Sequence, residues 1–81
     1  MTMAWKDDEL AYIYDLMESH GNKSVPKSAI QSYLRTQLVS AMQDNKFAIA
    51  KGLVDAANLW FNGHYGAAKE AIRITRAEDI G

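Results

Sequence analysis

The sequence predicts a small all-α protein, a compact bundle of four helices. Apolar residues recur at three- and four-residue spacings along most of the 81 residues, and no segment alternates with the period of two that marks a strand. Hydrophobic residues make up 48% of the chain and charged residues 23%, which is the balance of a globular protein. A chain of this length has room for one core, so we expect a single helical domain over residues 1–81.

The first two helices are predicted at about residues 5–19 and 26–42. Carboxylates in the first turn suit the positive end of the helix dipole, and Gly21 is a natural stop. Pro26 favours the first helical position of the second helix because its φ is fixed and it lacks an N–H. The apolar stripes expected to face the core contain Leu10, Ile13, Tyr14 and Met17, then Ile30, Tyr33, Leu34, Leu38, Ala41 and Met42.

The third helix, at about residues 46–61, is the most apolar and is expected to pack on several sides. Asp44 or Asn45 is expected to cap it. Gly52 costs about 1 kcal/mol of helix propensity relative to Ala, and we interpret it as room for a neighbouring helix. The stripe expected to face inward contains Phe47, Ala50, Leu53, Val54, Ala57, Trp60 and Phe61, broadened by Ile49, Ala56 and Leu59.

Asn62-Gly63 predicts a tight turn into a short fourth helix. This helix is expected at about residues 65–75, antiparallel to the third, with residues 76–81 as a flexible tail. The side chains expected to point inward are Ala67, Ala68, Ala71 and Ile72.

The segment Gly63-His64-Tyr65-Gly66-Ala67-Ala68 resembles the turn of a tetratricopeptide repeat, which reads Gly, any residue, Tyr, two residues, Ala. Ala56 also falls at an apolar position of that pattern, whereas Gly52 and Asp55 replace a large aromatic residue and a Leu. The likeness covers one repeat, and such arrays need about three. The resemblance implies an antiparallel helical hairpin with small Ala contacts, and we infer no membership of the family.

Composition argues against several functional classes. The chain has no Cys, which excludes disulfides, thiolate metal sites and a Cys nucleophile. Its amino terminus is acidic where a signal peptide needs basic residues followed by an apolar run, and no apolar run is long enough for a membrane span. We therefore expect a cytoplasmic location and no membrane partner.

Catalytic and metal-binding patterns are also missing from the sequence. His20 and His64 are the only histidines, and each sits beside Gly in a predicted turn. Neither forms a recognised ligand spacing with carboxylates, and Ser19 beside His20 is not a catalytic dyad, because nucleophile and base must meet in space. We expect no enzymatic activity, no cofactor and no metal.

Charge is distributed unevenly along the chain. Residues 1–20 contain five acidic residues against Lys6, whereas residues 21–51 contain five basic residues against Asp44. Two interpretations remain open. Neighbouring antiparallel helices pair their charges, or the two surfaces steer different partners or copies of the same chain.

The segment around the predicted turn at 62–63 is the leading candidate for binding a protein partner. Aromatic rings with a polar edge are favoured at interfaces, and the alternative is that they close one end of the bundle. The candidate partner-binding residues are Trp60, Phe61, His64 and Tyr65. The favoured function is a non-enzymatic adaptor, regulator or inhibitor docking on a larger complex. A chain this short and rich in aromatics is also expected to complete its core through a homo-oligomer, most simply a homodimer.

Nucleic-acid binding is the alternative. The second helix follows a short connection, as in a helix-turn-helix, and its basic, polar face suits phosphates and base edges. The candidate residues are Lys23, Lys27, Gln31 and Arg35. The slightly acidic net charge of −1 disfavours this function.

Overall fold

Four α-helices account for most of the chain that the computed structural model describes, which comprises residues 5, 7–19 and 25–80. The helices are α1 (Asp7–Glu18), α2 (Lys27–Gln43), α3 (Phe47–Phe61) and α4 (Tyr65–Ile80). Each helix packs against two neighbours in a ring of order α1–α2–α3–α4, and the closest packing joins α3 to α4 and to α2. The prediction of an all-α four-helix bundle ending in a helical hairpin is confirmed. The expected stop at Gly21 lies outside the described residues.

The turn from α2 to α3 is a Schellman motif. The amide of Lys46 donates to the carbonyl of Ala41 at 2.8 Å, and the amide of Asn45 donates to that of Met42 at 3.2 Å. Asn45 adopts a φ of 60°, the left-handed conformation that this motif requires. The prediction that Asp44 or Asn45 caps α3 is therefore wrong. Asn45 ends α2 instead, and Lys46 precedes α3 without a side-chain cap.

The turn from α3 to α4 repeats the same motif. His64 donates its amide hydrogen to Leu59 at 2.8 Å, Gly63 donates to Trp60 at 3.1 Å, and the φ of Gly63 is 86°. A Cβ at Gly63 would meet no atom within 4 Å, so backbone conformation rather than space selects Gly here. The predicted turn at residues 62–63 is confirmed.

The buried side chains form one cluster with contributions from all four helices. Trp60 is its largest member at 0% exposure, and its indole Nε1 donates to the carbonyl of Lys27 at 3.2 Å. This bond ties the end of α3 to the start of α2. The buried apolar residues are Leu10, Ile13, Met17, Ile30, Leu34, Ala41, Ile49, Ala50, Leu53, Ala56, Trp60, Ala68 and Ile72.

Helices α3 and α4 approach each other closely at Gly52. A Cβ there would overlap the hydroxyl of Thr75, which is buried and donates to the carbonyl of Ala71 at 2.7 Å. The predicted role of Gly52 is confirmed, because no larger residue fits without displacing Thr75.

Helix α4 extends to Ile80, beyond the predicted end at residue 75. The expected flexible tail over residues 76–81 is corrected, because residues 76–80 are helical; residue 81 lies outside the described chain. Buried Thr75 holds the helix against α3, and neither Gly nor Pro occurs between it and Gly81.

Several residues expected in the core are exposed. They are Tyr33 and Met42 on α2, Phe47, Val54 and Phe61 on α3, and Ala67 on α4. The apolar arc of α3 is wider than the surface that its two neighbours, α2 and α4, cover. The expectation that α3 packs on several sides therefore holds for one part of its surface only.

Candidate protein-interaction surface

Three large apolar side chains lie in one exposed row along α3. Phe47, Val54 and Phe61 are spaced seven residues apart and are 60%, 39% and 58% exposed. A seven-residue spacing places side chains on one side of a helix, and the row runs about 21 Å along the axis. We call these three residues the α3 row.

A shallow groove separates the middle of the row from α2. It has a volume of about 180 Å³, which suits side chains of a docking segment better than a small ligand, since ligand pockets span about 300–1,000 Å³. Its floor is apolar, and its one charged residue is Arg35. The residues that line this α2–α3 groove are Gln31, Leu34, Arg35, Leu38, Val54, Ala57 and Asn58.

A cluster of aromatic rings and one cation lies at the far end of the row. The ammonium of Lys27 lies 5.3 Å from the centre of the Phe61 ring and 5.9 Å from that of Tyr65. Tyr65 in turn packs on Trp60, with ring centroids 4.4 Å apart and planes tilted by 53°. Because both rings attract the cation, the Lys27 side chain is held over this end of α3.

The four predicted partner-binding residues lie together, but not all face solvent. Phe61, His64 and Tyr65 are exposed, whereas Trp60 lies wholly in the core and supports Tyr65 from beneath. Sequence analysis missed Phe47 and Val54 as surface residues. Their seven-residue spacing with Phe61 is visible in the sequence, but it identifies an exposed row only when the solvent-facing side of α3 is known.

The candidate nucleic-acid residues occupy one side of α2. Lys27, Gln31 and Arg35 follow one another at four-residue spacing, which places them in line along the helix. Gln31 and Arg35 line the α2–α3 groove, and Lys27 lies over the rings at its end. Lys23 lies outside the described residues. The two sets of candidates, separate in sequence, thus meet on one face of the α2–α3 hairpin.

The cations of this face are not paired with the acidic first helix. Among the described residues, neither Lys27 nor Arg35 forms an ion pair, although Asp8, Asp15 and Glu18 on α1 are exposed. Within the described chain, no direct ion pair of Lys27 or Arg35 therefore joins α2 to α1.

Helix α4, by contrast, pairs charges within itself. The Arg73 Nε donates to both carboxylate oxygens of Glu70, at 2.9 and 3.0 Å. This hydrogen bonding lowers the pKa of the Glu70 carboxyl below its usual range.

Another cleft lies between the start of α3 and the end of α4. Its volume is about 420 Å³, its charged lining residues are Lys46 and Glu78, and its one hydroxyl belongs to Thr75, which already donates to Ala71. This lining does not pair a nucleophile with a base. The described residues contain no group of three or more His, Asp or Glu side chains that is able to hold a metal ion, and His20 lies outside them.

Comparison with protein-family models, with curated proteins and with solved structures finds no match to this chain. Of the helices in the described chain, none has the length and apolar character needed to cross a membrane.

Proposed function

We propose that this chain is a non-enzymatic protein-interaction module that acts as an adaptor, regulator or inhibitor. Its binding surface is the outer face of the α2–α3 hairpin, formed by the α3 row, the α2–α3 groove, and the Lys27, His64 and Tyr65 side chains at its end.

The exposed α3 row is the observation that carries this proposal. Scattered apolar side chains are ordinary on a protein surface, but a row of two Phe and one Val along one helix is not scattered. Leu38 packs partly against the core on the neighbouring helix, and Met42 is exposed beside the α2–α3 turn, so the apolar surface spans both helices. Binding a partner removes this surface from water, which is favourable by about 25 cal/mol per Å² before the costs of association.

Site-specific photo-crosslinking tests the proposal. A benzoylphenylalanine residue placed at Phe61 is expected to capture one protein from an extract of the native host. The same residue placed at Ile74 is the control, because Ile74 is 42% exposed on α4, outside the proposed surface. The captured protein is then identified by mass spectrometry.

A substitution in the middle of the α3 row provides a second test of the proposed surface. Val54→Lys is expected to abolish the crosslink from position 61, and Ile74→Lys is expected to leave it intact, with both variants showing the far-UV circular dichroism of the parent. Equal capture from positions 61 and 74, or capture that survives Val54→Lys, contradicts the proposal.

A further inference from the structure

We infer that the outer face of the α2–α3 hairpin, called the α2–α3 face below, binds an amphipathic helix of a partner protein. This helix has apolar residues on one side and carboxylates on its flanks. This inference rests on the proposed function and names the chemistry of the partner.

The shape of the face favours a helix. The α3 row repeats every seven residues, which is the spacing at which a second helix presents its own apolar side chains when the two pack side by side. The α2–α3 groove beside Val54 supplies the hole between two helices that such side chains enter. The length of the row, about 21 Å, corresponds to about four turns of a docked helix.

The charge of the face favours carboxylates on that helix. Arg35 lies beside the middle of the row and Lys27 at its end, eight residues apart, so the two cations are separated by about 12 Å along α2. Neither forms an ion pair within the described chain. Carboxylates two turns apart on a docked helix match this separation. Lys or Arg side chains at the same positions of the docked helix are repelled by Lys27 and Arg35.

A second copy of the chain fits this face less well. Its acidic helix α1 has already buried the apolar side chains Leu10, Ile13 and Met17 in its own core. An antiparallel two-fold pairing of the α3 row with itself places the axis at Val54, and Arg35, which lines the groove at the same level, then approaches its own copy. Like charges brought together in this way oppose association.

Two synthetic peptides of about three heptads test the inference. Both carry Leu at positions a and d; one carries Glu at positions e and g, and the other carries Lys there. Binding is measured by fluorescence anisotropy of labelled peptide and located by amide shift changes in the ¹⁵N-labelled chain. The acidic peptide is expected to bind at least about tenfold more tightly than the basic one, with shifts concentrated on α2 and α3.

Reversing the charges of the protein provides the complementary test to the two peptides of opposite charge. The double variant Lys27→Glu/Arg35→Glu is expected to reverse the preference, binding the basic peptide more tightly. Val54→Lys is expected to abolish binding of the acidic peptide, and Ile74→Lys to leave it unchanged. The preference is also expected to weaken at 1 M salt, where the screening length falls to about 3 Å.

The outcomes separate this inference from the proposed function. Equal binding of both peptides, no binding of either, or shifts elsewhere on the chain overturn the inference, while a Val54-dependent crosslink from position 61 still supports the proposed function. Two further results overturn it: a dimer in sedimentation equilibrium that Val54→Lys dissociates, which assigns the face to a second copy, and competition of duplex DNA with the peptide, which assigns it to nucleic acid.

Discussion

Gly52 shows how one missing side chain sets the distance between two helices. A methyl group at this position overlaps the Thr75 hydroxyl. Helix propensity favours Ala over Gly by about 1 kcal/mol, whereas overpacking costs about 1–3 kcal/mol. We therefore expect Gly52→Ala to lower the free energy of unfolding in urea, despite its better intrinsic propensity.

Two variants control this prediction. Gly66→Ala, where a Cβ meets no atom within 4 Å, is expected to leave the free energy of unfolding unchanged or to raise it. Adding Thr75→Ala to Gly52→Ala removes the overlapping hydroxyl. The free energy of unfolding of the double variant is therefore expected to be higher than the sum of the two single-variant changes predicts. If Gly52→Ala proves more stable than the parent, the two helices are not in close contact there.

Trp60 is expected to be essential for folding rather than for binding alone. Removing a buried Trp side chain costs about 3–5 kcal/mol, which is comparable to the whole stability of a chain this small. Trp60→Ala is therefore expected to lose its far-UV helical signal. Trp60→Phe keeps an apolar ring but loses the bond to the Lys27 carbonyl, so it is expected to stay folded with a stability lower by about 1–3 kcal/mol. If the Trp60→Ala variant stays fully helical, the Trp60 side chain is not needed for folding, and the prediction is wrong.

The neighbours Trp60 and Phe61 mark the limit of sequence analysis at this scale. Both lie in one apolar arc of α3, so periodicity assigns them the same environment. The structure separates them because the indole reaches the Lys27 carbonyl on α2, whereas Phe61 is one residue further around the helix and faces solvent. That distinction depends on the position of another helix, which local pattern does not contain.

At the scale of the elements, the number and order of helices were predictable, and their ends less so. The start of α4 follows from the turn at Gly63, whose conformation few other residues adopt. Its end at Ile80 was not predictable from local pattern. Thr75, the expected last residue, instead packs against Gly52 in a contact between distant parts of the chain, and the helix continues beyond it. The Asn45 turn was misassigned for a related reason: Asn suits both the start of a helix and the left-handed end of one.

A pair of tyrosines joins α1 to α2 and is expected to make the stability of the bundle sensitive to alkaline pH. Tyr12 and Tyr33 meet edge to face, with ring centroids 5.8 Å apart at 83°. Repulsion from the Tyr33 phenolate, together with a hydrogen bond to Tyr33, raises the pKa of Tyr12 above the ordinary 10.0. The folded chain then retains a proton that the unfolded chain has lost, so stability is expected to fall as the pH rises above 10.

Tyr33→Phe tests this coupling. The substitution removes both the second charge and the hydrogen bond, so the pKa of Tyr12, followed by the ring carbon shifts in an NMR titration, is expected to decrease toward 10.0. Tyr14→Phe is the control, since Tyr14 is not among the causes of the shift. An unchanged pKa for Tyr12 in Tyr33→Phe would show that the two hydroxyls do not interact.

For the whole molecule, charge segregation was visible in the sequence but its arrangement was not. Counting shows an acidic start and a basic middle, which leaves both internal pairing and partner recognition open. The structure places Arg35 in the α2–α3 groove and Lys27 over the ring of Phe61 on α3. The interaction surface was accordingly predicted in part: its aromatic end was identified, while the row through Val54 emerges only when the exposed side of α3 is known.

The four helices are not packed against one another equally closely. Helix α3 has two extensive interfaces, whereas α1 packs less closely on α2 and α4. Local opening is easier where fewer buried contacts are lost, so the amide of Ile13 on α1 is expected to exchange at least about tenfold faster than that of Leu53 on α3. Hydrogen exchange followed by NMR measures both, and equal protection of the two amides would indicate that the bundle opens only as one unit.

The repeated Schellman turns have a kinetic consequence. Their hydrogen bonds join residues only three to five positions apart, so the chain reverses direction twice, at Asn45 and Gly63, using local interactions alone. Forming α2, α3 and α4 then requires little loop closure, and such topologies reach the native state within microseconds to milliseconds. We expect the slowest step to be the packing of α1 on α4, which joins the first and last helices and completes the ring.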